Sequence, residues 1–212
     1  GEMTLFQETV KRLGTRIPAE RMTFVTSMEL EFDVRDQLRR CLGQDSPHCR
    51  VIAEPEGRNT APAILLGAWI IHSLDSNAVV LAAPSDHVIL DGPAFTAALD
   101  QTLEAASGGK IITYGIVPTR PETGYGYIRA GGKGGEKILE VEKFEEKPDA
   151  ERAEKFVAEG NYYWNSGIFM FSVNKVLEEG RRLTPDVMSR IERVRPDTLE
   201  GLLALPGVGR ST

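Results

Sequence analysis

The stretch Val79-Val80-Leu81-Ala82-Ala83-Pro84-Ser85-Asp86-His87 indicates the fold class of this chain. Its apolar run is too short to cross a membrane and is typical of a strand buried on both faces of a parallel sheet. Open α/β sheets bind ligands just beyond the carboxyl ends of such strands. Asp86 is therefore placed where an enzyme would hold a metal ion or a phosphate, although a loop aspartate that caps the next turn is an equally good explanation.

The composition is that of a globular protein without a strong field of charge. The chain has 212 residues, of which 41% are hydrophobic and 26% charged, and its formal net charge is −6. That length can bury a full core as one large domain or two small ones. Because no global basic field is present, we expect no nucleic-acid partner, and any phosphate must be bound locally by a few cations and a metal.

Cysteine use and hydropathy favour the cytoplasm. Cys41 and Cys49 are the only cysteines, and they lack the neighbours of a metal site. They are typical of free thiols in a reducing compartment, with a disulfide left open. No signal peptide or long apolar segment is found, so we expect no membrane association. The oligomeric state stays open, a homo-oligomer included.

Strands and helices alternate along the first part of the chain. A helix follows a predicted N-cap at Thr4, further helices are predicted at 29–42, 61–74 and 93–106, and strands at 22–26, 50–54, 78–83 and 110–117. This alternation implies βαβ units with right-handed crossovers. We therefore predict an α/β fold, with a Rossmann-like, mostly parallel sheet flanked by helices.

The pattern changes after Pro118. Residues 124–129 and 138–144 look like two strands joined by a glycine-rich turn, which predicts a small antiparallel hairpin lobe. A helix at 149–159, a strand at 162–172 and helices to about residue 194 are predicted to follow.

Polar clusters interrupt this pattern at the ends of predicted strands. They are Glu54–Ala63 (EPEGRNTAPA), Pro84–His87 (PSDH), Pro118–Ile128 (PTRPETGYGYI) and Glu145–Pro148 (EEKP). The first enters a helix whose N-terminus offers N–H groups to an anion or a base. In the third, glycines allow backbone to approach a ligand closely. In the fourth, Lys147 can reach a phosphate and Glu146 can accept sugar hydroxyls.

Each cluster also has a simpler explanation. Thr60 as the N-cap of a helix explains part of the first cluster, but it does not require Glu54, Arg58 and Asn59 as well. A turn before an edge strand explains the third cluster, and a solvated charge run explains the fourth. The conjunction and order of the clusters are more specific than any one of them.

Together with Trp164-Asn165-Ser166-Gly167-Ile168-Phe169, these clusters resemble the sugar-nucleotide pyrophosphorylases of the nucleotidyltransferase fold, most closely the mannose-1-phosphate guanylyltransferases. The resemblance covers residues 3–185. It implies the nucleotide-diphospho-sugar transferase fold and an enzyme that makes GDP-mannose from GTP and mannose 1-phosphate, releasing pyrophosphate. It further implies a nucleotidyltransferase core over 1–195, with the role of residues 196–212 left open.

The same resemblance implies roles for individual residues. Asp86 matches the aspartate that holds Mg²⁺ between the phosphates, and Lys147 matches the lysine that grips the sugar phosphate, so both are expected to be catalytic. The implied nucleotide-binding residues are Glu54, Arg58, Asn59 and Thr60. The implied sugar-phosphate residues are Gly124, Tyr125, Glu146, Lys147 and Asn165.

Base preference is expected to depend on Glu54. Guanine presents two adjacent donors on its Watson–Crick edge, and one carboxylate can accept both. Uracil and thymine present acceptor, donor and acceptor, which suits glutamine better. Two alternatives stay open: the same fold acting on another nucleotide or sugar, and an inactive module that only binds nucleotide or sugar phosphate.

Two features of the family have no counterpart in residues 1–212. One is a first strand followed by a glycine-rich loop with an arginine and a lysine, and the other is a later aspartate that shares the metal, which we expect beyond Thr212. We therefore expect little or no turnover by these residues alone. Separately, Pro196–Thr212 resembles the helix-hairpin-helix of DNA-repair glycosylases, in which Leu-Pro-Gly-Val-Gly donates N–H groups to a DNA phosphate. A helix ended by a proline-glycine turn also explains it.

Overall fold

The computed structural model describes residues 3–54, 59–131 and 138–195, and these form two compact units. The first unit contains the described residues up to Val80, residues 85–92 and residues 172–195. The second contains residues 81–84 and the described part of 93–171. The helix-hairpin-helix-like segment 196–212 lies outside the described residues, so its role stays open.

Most elements begin within two residues of the predicted positions, but the two hairpin strands begin at Tyr127 and Val141, three residues later than predicted. The α-helices are α1 (Leu5–Gly14), α2 (Glu31–Leu42), α3 (Thr60–Leu74), α4 (Gly92–Ser107), α5 (Ala150–Glu159), α6 (Val173–Leu183) and α7 (Pro185–Ile191). The strands are β1 (Thr23–Ser27), β2 (Arg50–Glu54), β3 (Val79–Ala82), β4 (Ile112–Ile116), β5 (Tyr127–Ala130), β6 (Val141–Glu145) and β7 (Tyr162–Ser172). Short 3-10 helices span Ala19–Arg21 and Gly43–His48. No helix of the described ranges is both long and apolar enough to cross a membrane.

The first unit is built on one parallel strand pair. β1 and β2 run in parallel, from Thr23 opposite Arg50 to Ser27 opposite Glu54. Helix α2 packs on both strands, and α3 packs on β1. Thr4 begins α1 with the predicted cap, and its hydroxyl accepts a hydrogen bond from the Gln7 N–H. The core between these elements consists of Val10, Met22, Leu38, Cys49 and Val51.

A second layer of the first unit consists of three packed helices. α3 packs against α6 and α7, which also pack on each other. Gly180 of α6 permits this close approach, since a Cβ there would lie 2.7 Å from Leu65 Cδ2 and 3.0 Å from Met188 Sδ. The Trp69 indole N–H donates to the Val194 carbonyl at 3.1 Å and ties α3 to the end of the described chain.

The larger sheet has the order β3-β7-β5-β6, and β4 also pairs with β7. The α/β class and the antiparallel hairpin of β5 and β6 are confirmed. The antiparallel part is more extensive than a hairpin lobe, because β7 runs antiparallel to both β4 and β5. β3 lies at the end of the sheet order, and its residues are half-buried, whereas we predicted a strand buried on both faces.

Gly115 of β4 lies in close contact with β7. A Cβ at this position would lie 2.7 Å from Tyr163 Cβ and 3.1 Å from Tyr163 Cγ. Tyr163 Cβ is fixed to the β7 backbone and cannot swing away. We expect Gly115→Ala to lower the free energy of unfolding by about 1–3 kcal/mol, measured by urea denaturation. Gly92→Ala is the control, because a Cβ there meets nothing within 4 Å; equal losses in the two variants would contradict the packing argument.

Candidate functional site

In the first unit, Glu54 is a carboxylate at the end of a parallel strand. It is the last residue of β2, and its carbonyl accepts a hydrogen bond from the Met28 N–H at 3.1 Å. The side chain is half-buried and makes no hydrogen bond or ion pair within the described ranges. Burial raises the pKa of Glu54, because the charged form loses hydration. Such an acceptor is suited to receive donors from a ligand.

Asn59, and not Thr60, is the N-cap of α3. Thr60 is not the N-cap that the simpler explanation requires, because the helix begins one residue earlier than predicted, with Thr60 as its first residue. The nucleotide-binding role of Thr60 stays a prediction. Asn59 has φ 69° and ψ −178°, a conformation that glycine adopts far more readily, and its side chain makes no capping hydrogen bond. The Asn59 side chain thus lies at the start of α3 with no hydrogen bond to another residue that the structure describes. Arg58, also predicted to bind nucleotide, lies outside the described residues.

Asp86 lies on the loop between β3 and α4. Its carboxylate is exposed and makes no hydrogen bond or ion pair with any residue that the structure describes, so it is not the turn cap that the sequence also allowed. Among the residues that the structure describes, no three His, Cys, Asp or Glu side chains form a cluster that could hold a metal. Mg²⁺ is commonly held by one or two carboxylates together with substrate phosphates. One exposed aspartate fits a metal that is shared with a nucleotide.

In the second unit, strand register brings the predicted sugar-phosphate residues to one end of the sheet. Tyr127 of β5 lies opposite Glu145 of β6 and opposite Trp164 of β7, and both pairs are antiparallel. Residues before Tyr127 and residues after Glu145 and Trp164 therefore lie toward the same end. The predicted sugar-phosphate residues that lie toward this end are Gly124, Tyr125, Glu146, Lys147 and Asn165.

Asn165 is held by backbone and side-chain bonds. Its N–H donates to the Gly126 carbonyl at 2.8 Å. Its Oδ1 accepts from the Thr113 hydroxyl and from the Gly167 N–H, each at 3.2 Å. Because Oδ1 is occupied, the orientation of the amide is fixed, and its Nδ2 group has no partner among the residues described. Asn165 can therefore offer a donor to a ligand hydroxyl.

The loop before β5 is tied by Glu122. The Glu122 carboxylate accepts from the Gly124 N–H at 3.1 Å and from Arg120 at 3.2 Å, and the Glu122 N–H donates to the buried Tyr127 hydroxyl at 2.8 Å. The Gly124 bond, followed by the Arg120 bond, lowers the pKa of Glu122. These bonds tie the loop that carries Gly124 and Tyr125 to β5.

Trp164 and Arg120 are neighbours of this loop to which the sequence assigned no role. Tyr125 meets the Trp164 ring edge-on with centroids 5.4 Å apart, and the Arg120 guanidinium lies 5.7 Å from the Trp164 ring centre. The Trp164 indole N–H is buried and lacks a partner within the described ranges. The aromatic run Tyr162-Tyr163-Trp164 was the available signal, but only the register identifies which ring faces the loop.

Lys147 has the second unusual backbone conformation. Its φ is 32°, and Asn59 and Lys147 are the non-glycine residues with positive φ in the described part of the chain. Lys147 precedes Pro148, which is buried and further restricts the backbone. Lys147 Nζ is 3.8 Å from Glu146 Oε1, and both side chains are exposed. Strained backbone of this kind is concentrated at functional sites.

The chain belongs to the nucleotidyl transferase family, whose pattern it matches over residues 1–199. This agrees with the α/β fold and with polar clusters at strand ends. Nucleotidyl transferases generally use a divalent metal.

Two curated proteins are similar to this chain over most of its length. A mannose-1-phosphate guanylyltransferase of Escherichia coli (strain K12) is 42% identical over 199 residues, which are 91% of this chain and 41% of that protein. The alginate biosynthesis protein AlgA of Pseudomonas aeruginosa is 42% identical over 192 residues, which are 88% of this chain and 38% of that protein. The chain thus spans about two fifths of the length of these curated relatives.

A solved structure supports the fold over nearly the whole chain. The crystal structure of a protein described as mannose-1-phosphate geranyltransferase, from Thermus thermophilus, superimposes with a TM-score of 0.76 and 34% identity. The superposition covers 93% of this chain and 57% of that chain.

Proposed function

We propose that the protein to which this chain belongs transfers a guanylyl group from GTP to mannose 1-phosphate, giving GDP-mannose and pyrophosphate. The observation that carries the proposal is the register of the second unit, which gathers the side chains of three separate motifs at one end of a sheet. The curated relatives, named for mannose-1-phosphate guanylyl transfer and for alginate biosynthesis, support the choice of reaction.

The sugar phosphate is assigned to the second unit. Lys147 supplies a cation for the phosphate, Glu146 accepts hexose hydroxyls, and the Asn165 amide donates to one of them. Tyr125, packed against Trp164, covers the apolar face of the sugar. Gly124 leaves room beside the ring, because it carries no side chain.

The nucleotide is assigned to the first unit. Glu54 accepts the two donors of guanine, Asn59 contacts the base, and the first turn of α3 at Thr60 contributes N–H groups, with Arg58 beside it in sequence. Asp86 is the residue that would hold Mg²⁺, and the ion would neutralise phosphate charge. The chain acts in the cytoplasm, which agrees with its two free thiols.

The reaction needs no protein nucleophile. A phosphate oxygen of mannose 1-phosphate attacks the α-phosphorus of GTP, the bond from that phosphorus to the β-phosphate oxygen breaks, and pyrophosphate leaves. The protein contributes alignment and positive charge, which are large terms in phosphoryl-transfer chemistry. Binding of each substrate is the direct test of these residue assignments.

Isothermal titration calorimetry of the 212-residue chain tests the proposal. We expect Mg²⁺-dependent binding of GTP and binding of mannose 1-phosphate. Asp86→Asn should weaken GTP binding in Mg²⁺ by about 10-fold or more, since a neutral amide is a poor Mg²⁺ ligand. Asp45→Asn is the control, because Asp45 is also exposed and unpaired among the residues described. Tighter binding of another nucleotide, or binding of sugar phosphate alone, would contradict the assignment to GTP.

A further inference from the structure

Arg12 connects helix α1 to the loop that carries Asp86. The side chain comes from the last turn of α1, and its Nη2 donates to the Thr9 hydroxyl at 2.8 Å and to the His87 carbonyl at 3.2 Å. Thr9 is buried, with 6% of its surface exposed. Its hydroxyl lies one helical turn before Arg12 and orients the guanidinium toward the loop. All of these residues belong to the first unit.

The loop between β3 and α4 has no regular secondary structure of its own. Residues 83–91 lie outside the helices and strands, and Val88 and Leu90 on it are strongly exposed. Segments with few buried contacts open at low free-energy cost. His87 directly follows Asp86, so a bond to the His87 carbonyl fixes the peptide group between His87 and Val88, one residue beyond Asp86. That restraint limits the directions in which the Asp86 carboxylate can point.

The surroundings of the Arg12 side chain are unfavourable for a charged group. The Arg12 Nε is buried and has no hydrogen-bond partner in the part of the chain described. Burial lowers the pKa of Arg12, and nearby Glu8 partly opposes this. The guanidinium nevertheless stays charged, so a partly desolvated cation is held while its buried Nε lacks an acceptor among the residues described. The adjacent Lys11 is exposed and carries the same charge without this cost.

We propose that Arg12 is a positioning residue, whose guanidinium holds the Asp86 loop in the geometry that receives a metal-bound nucleotide. The inference rests on the proposed function, in which Asp86 faces the nucleotide phosphates. Arg12 acts through the His87 backbone and touches no substrate. Both bonds come from the two N–H groups of Nη2, whose directions are fixed by the planar guanidinium, whereas the N–H groups of a lysine ammonium rotate freely.

Hydrogen exchange measured by mass spectrometry on the 212-residue chain, without ligand, tests the restraint. Amides of residues 84–91 should exchange about 10-fold faster in Arg12→Met, since one hydrogen bond to a charged donor is lost from the closed loop. Lys11→Met removes the same charge from the same helix and should match the wild type. Arg12→Lys should lie between the two, and it replaces Arg12→Met if that variant does not fold. Unchanged exchange in this segment would overturn the proposal.

Calorimetry on the same variants tests the consequence for binding. GTP in the presence of Mg²⁺ should bind about 10-fold more weakly to Arg12→Met, with partial rescue in Arg12→Lys, while the affinity for mannose 1-phosphate stays unchanged. Faster hydrogen exchange in residues 84–91 together with an unchanged GTP affinity would overturn the positioning role. Failure of the wild type itself to bind GTP would instead overturn the proposed function, and the exchange result would still decide whether Arg12 restrains the loop.

Discussion

Replacing Lys147 by methionine is expected to weaken the binding of mannose 1-phosphate by about 30-fold. The ammonium group is exposed, and its nearest carboxylate oxygen, on Glu146, is 3.8 Å away, so the cation is available to a phosphate. Loss of a hydrogen bond between charged groups costs about 2 kcal/mol, which corresponds to that factor. Titration calorimetry with mannose 1-phosphate measures the change.

The matched control for this prediction is Lys155→Met. Lys155 lies on α5, and its side chain is 63% exposed, against 64% for Lys147. Both substitutions remove one positive charge from the second unit, so a general electrostatic effect would weaken binding equally in the two variants. A similar loss in both would contradict a specific contact. Lys147→Arg, which retains the charge, should recover part of the affinity.

Lys147→Gly separates the role of the cation from the role of the backbone. A φ of 32° is unfavourable for lysine and acceptable for glycine. We therefore expect this variant to keep or slightly raise the free energy of unfolding while it loses the phosphate contact as Lys147→Met does. Stability and binding then move in opposite directions, which is typical of strain retained for function. A marked loss of stability would show that the Lys147 side chain has a structural role.

Local signals were sufficient to predict the elements of the fold. Asp149 caps α5 and Gly160 ends it with φ 74°, as expected for a capping aspartate and a left-handed terminal glycine. The pairing and direction of the strands were not predictable in this way, because the apolar pattern of a strand does not specify which strand it pairs with. β7 was predicted with its bounds intact, but only the structure shows that it lies between β3 and β5, antiparallel to β5. The extent of the parallel sheet was therefore overestimated.

Site residues that lie in contiguous motifs were predictable from the sequence. Contacts between side chains that are distant in sequence were not. The order of the polar clusters indicates the family before any coordinates are known. Arg12 carries no such signal, since it is an ordinary basic residue in the last turn of a helix, and its acceptor on His87 lies 75 residues away. The backbone strain at Asn59 is likewise invisible in sequence, because asparagine is common both as an N-cap and in loops.

Replacing Glu54 by glutamine is expected to change the base preference of the chain. A glutamine amide presents one acceptor and one donor, so it loses a bond to guanine and places an N–H group against another N–H group. The same amide matches the acceptor and donor of uracil. We expect the ratio of GTP to UTP affinity to fall by about 100-fold, which corresponds to about 2.7 kcal/mol, measured by competition between the two nucleotides.

The same substitution should not destabilise the protein near neutral pH. Burial raises the pKa of Glu54, so the folded chain binds a proton there more readily than the unfolded chain does. Ionisation of Glu54 therefore lowers the free energy of unfolding of the wild type. The loss occurs as the pH rises from about 4.3, the ordinary pKa of a glutamate, to the raised pKa of Glu54 in the folded protein. Glutamine carries no such charge, so the stability of Glu54→Gln relative to the wild type should increase across that window and stay constant above it.

Glu20→Gln is the control for both effects. The Glu20 carbonyl accepts a hydrogen bond from Arg50 at the start of β2, so Glu20 lies at the opposite end of the strand from Glu54 and its side chain is exposed. It removes one carboxylate from the same unit without touching the predicted base site. An unchanged nucleotide ratio in Glu54→Gln would remove Glu54 from base recognition. A lower stability at pH 7 would mean that the carboxylate has a partner in the folded protein, since an unpaired half-buried charge can only oppose folding.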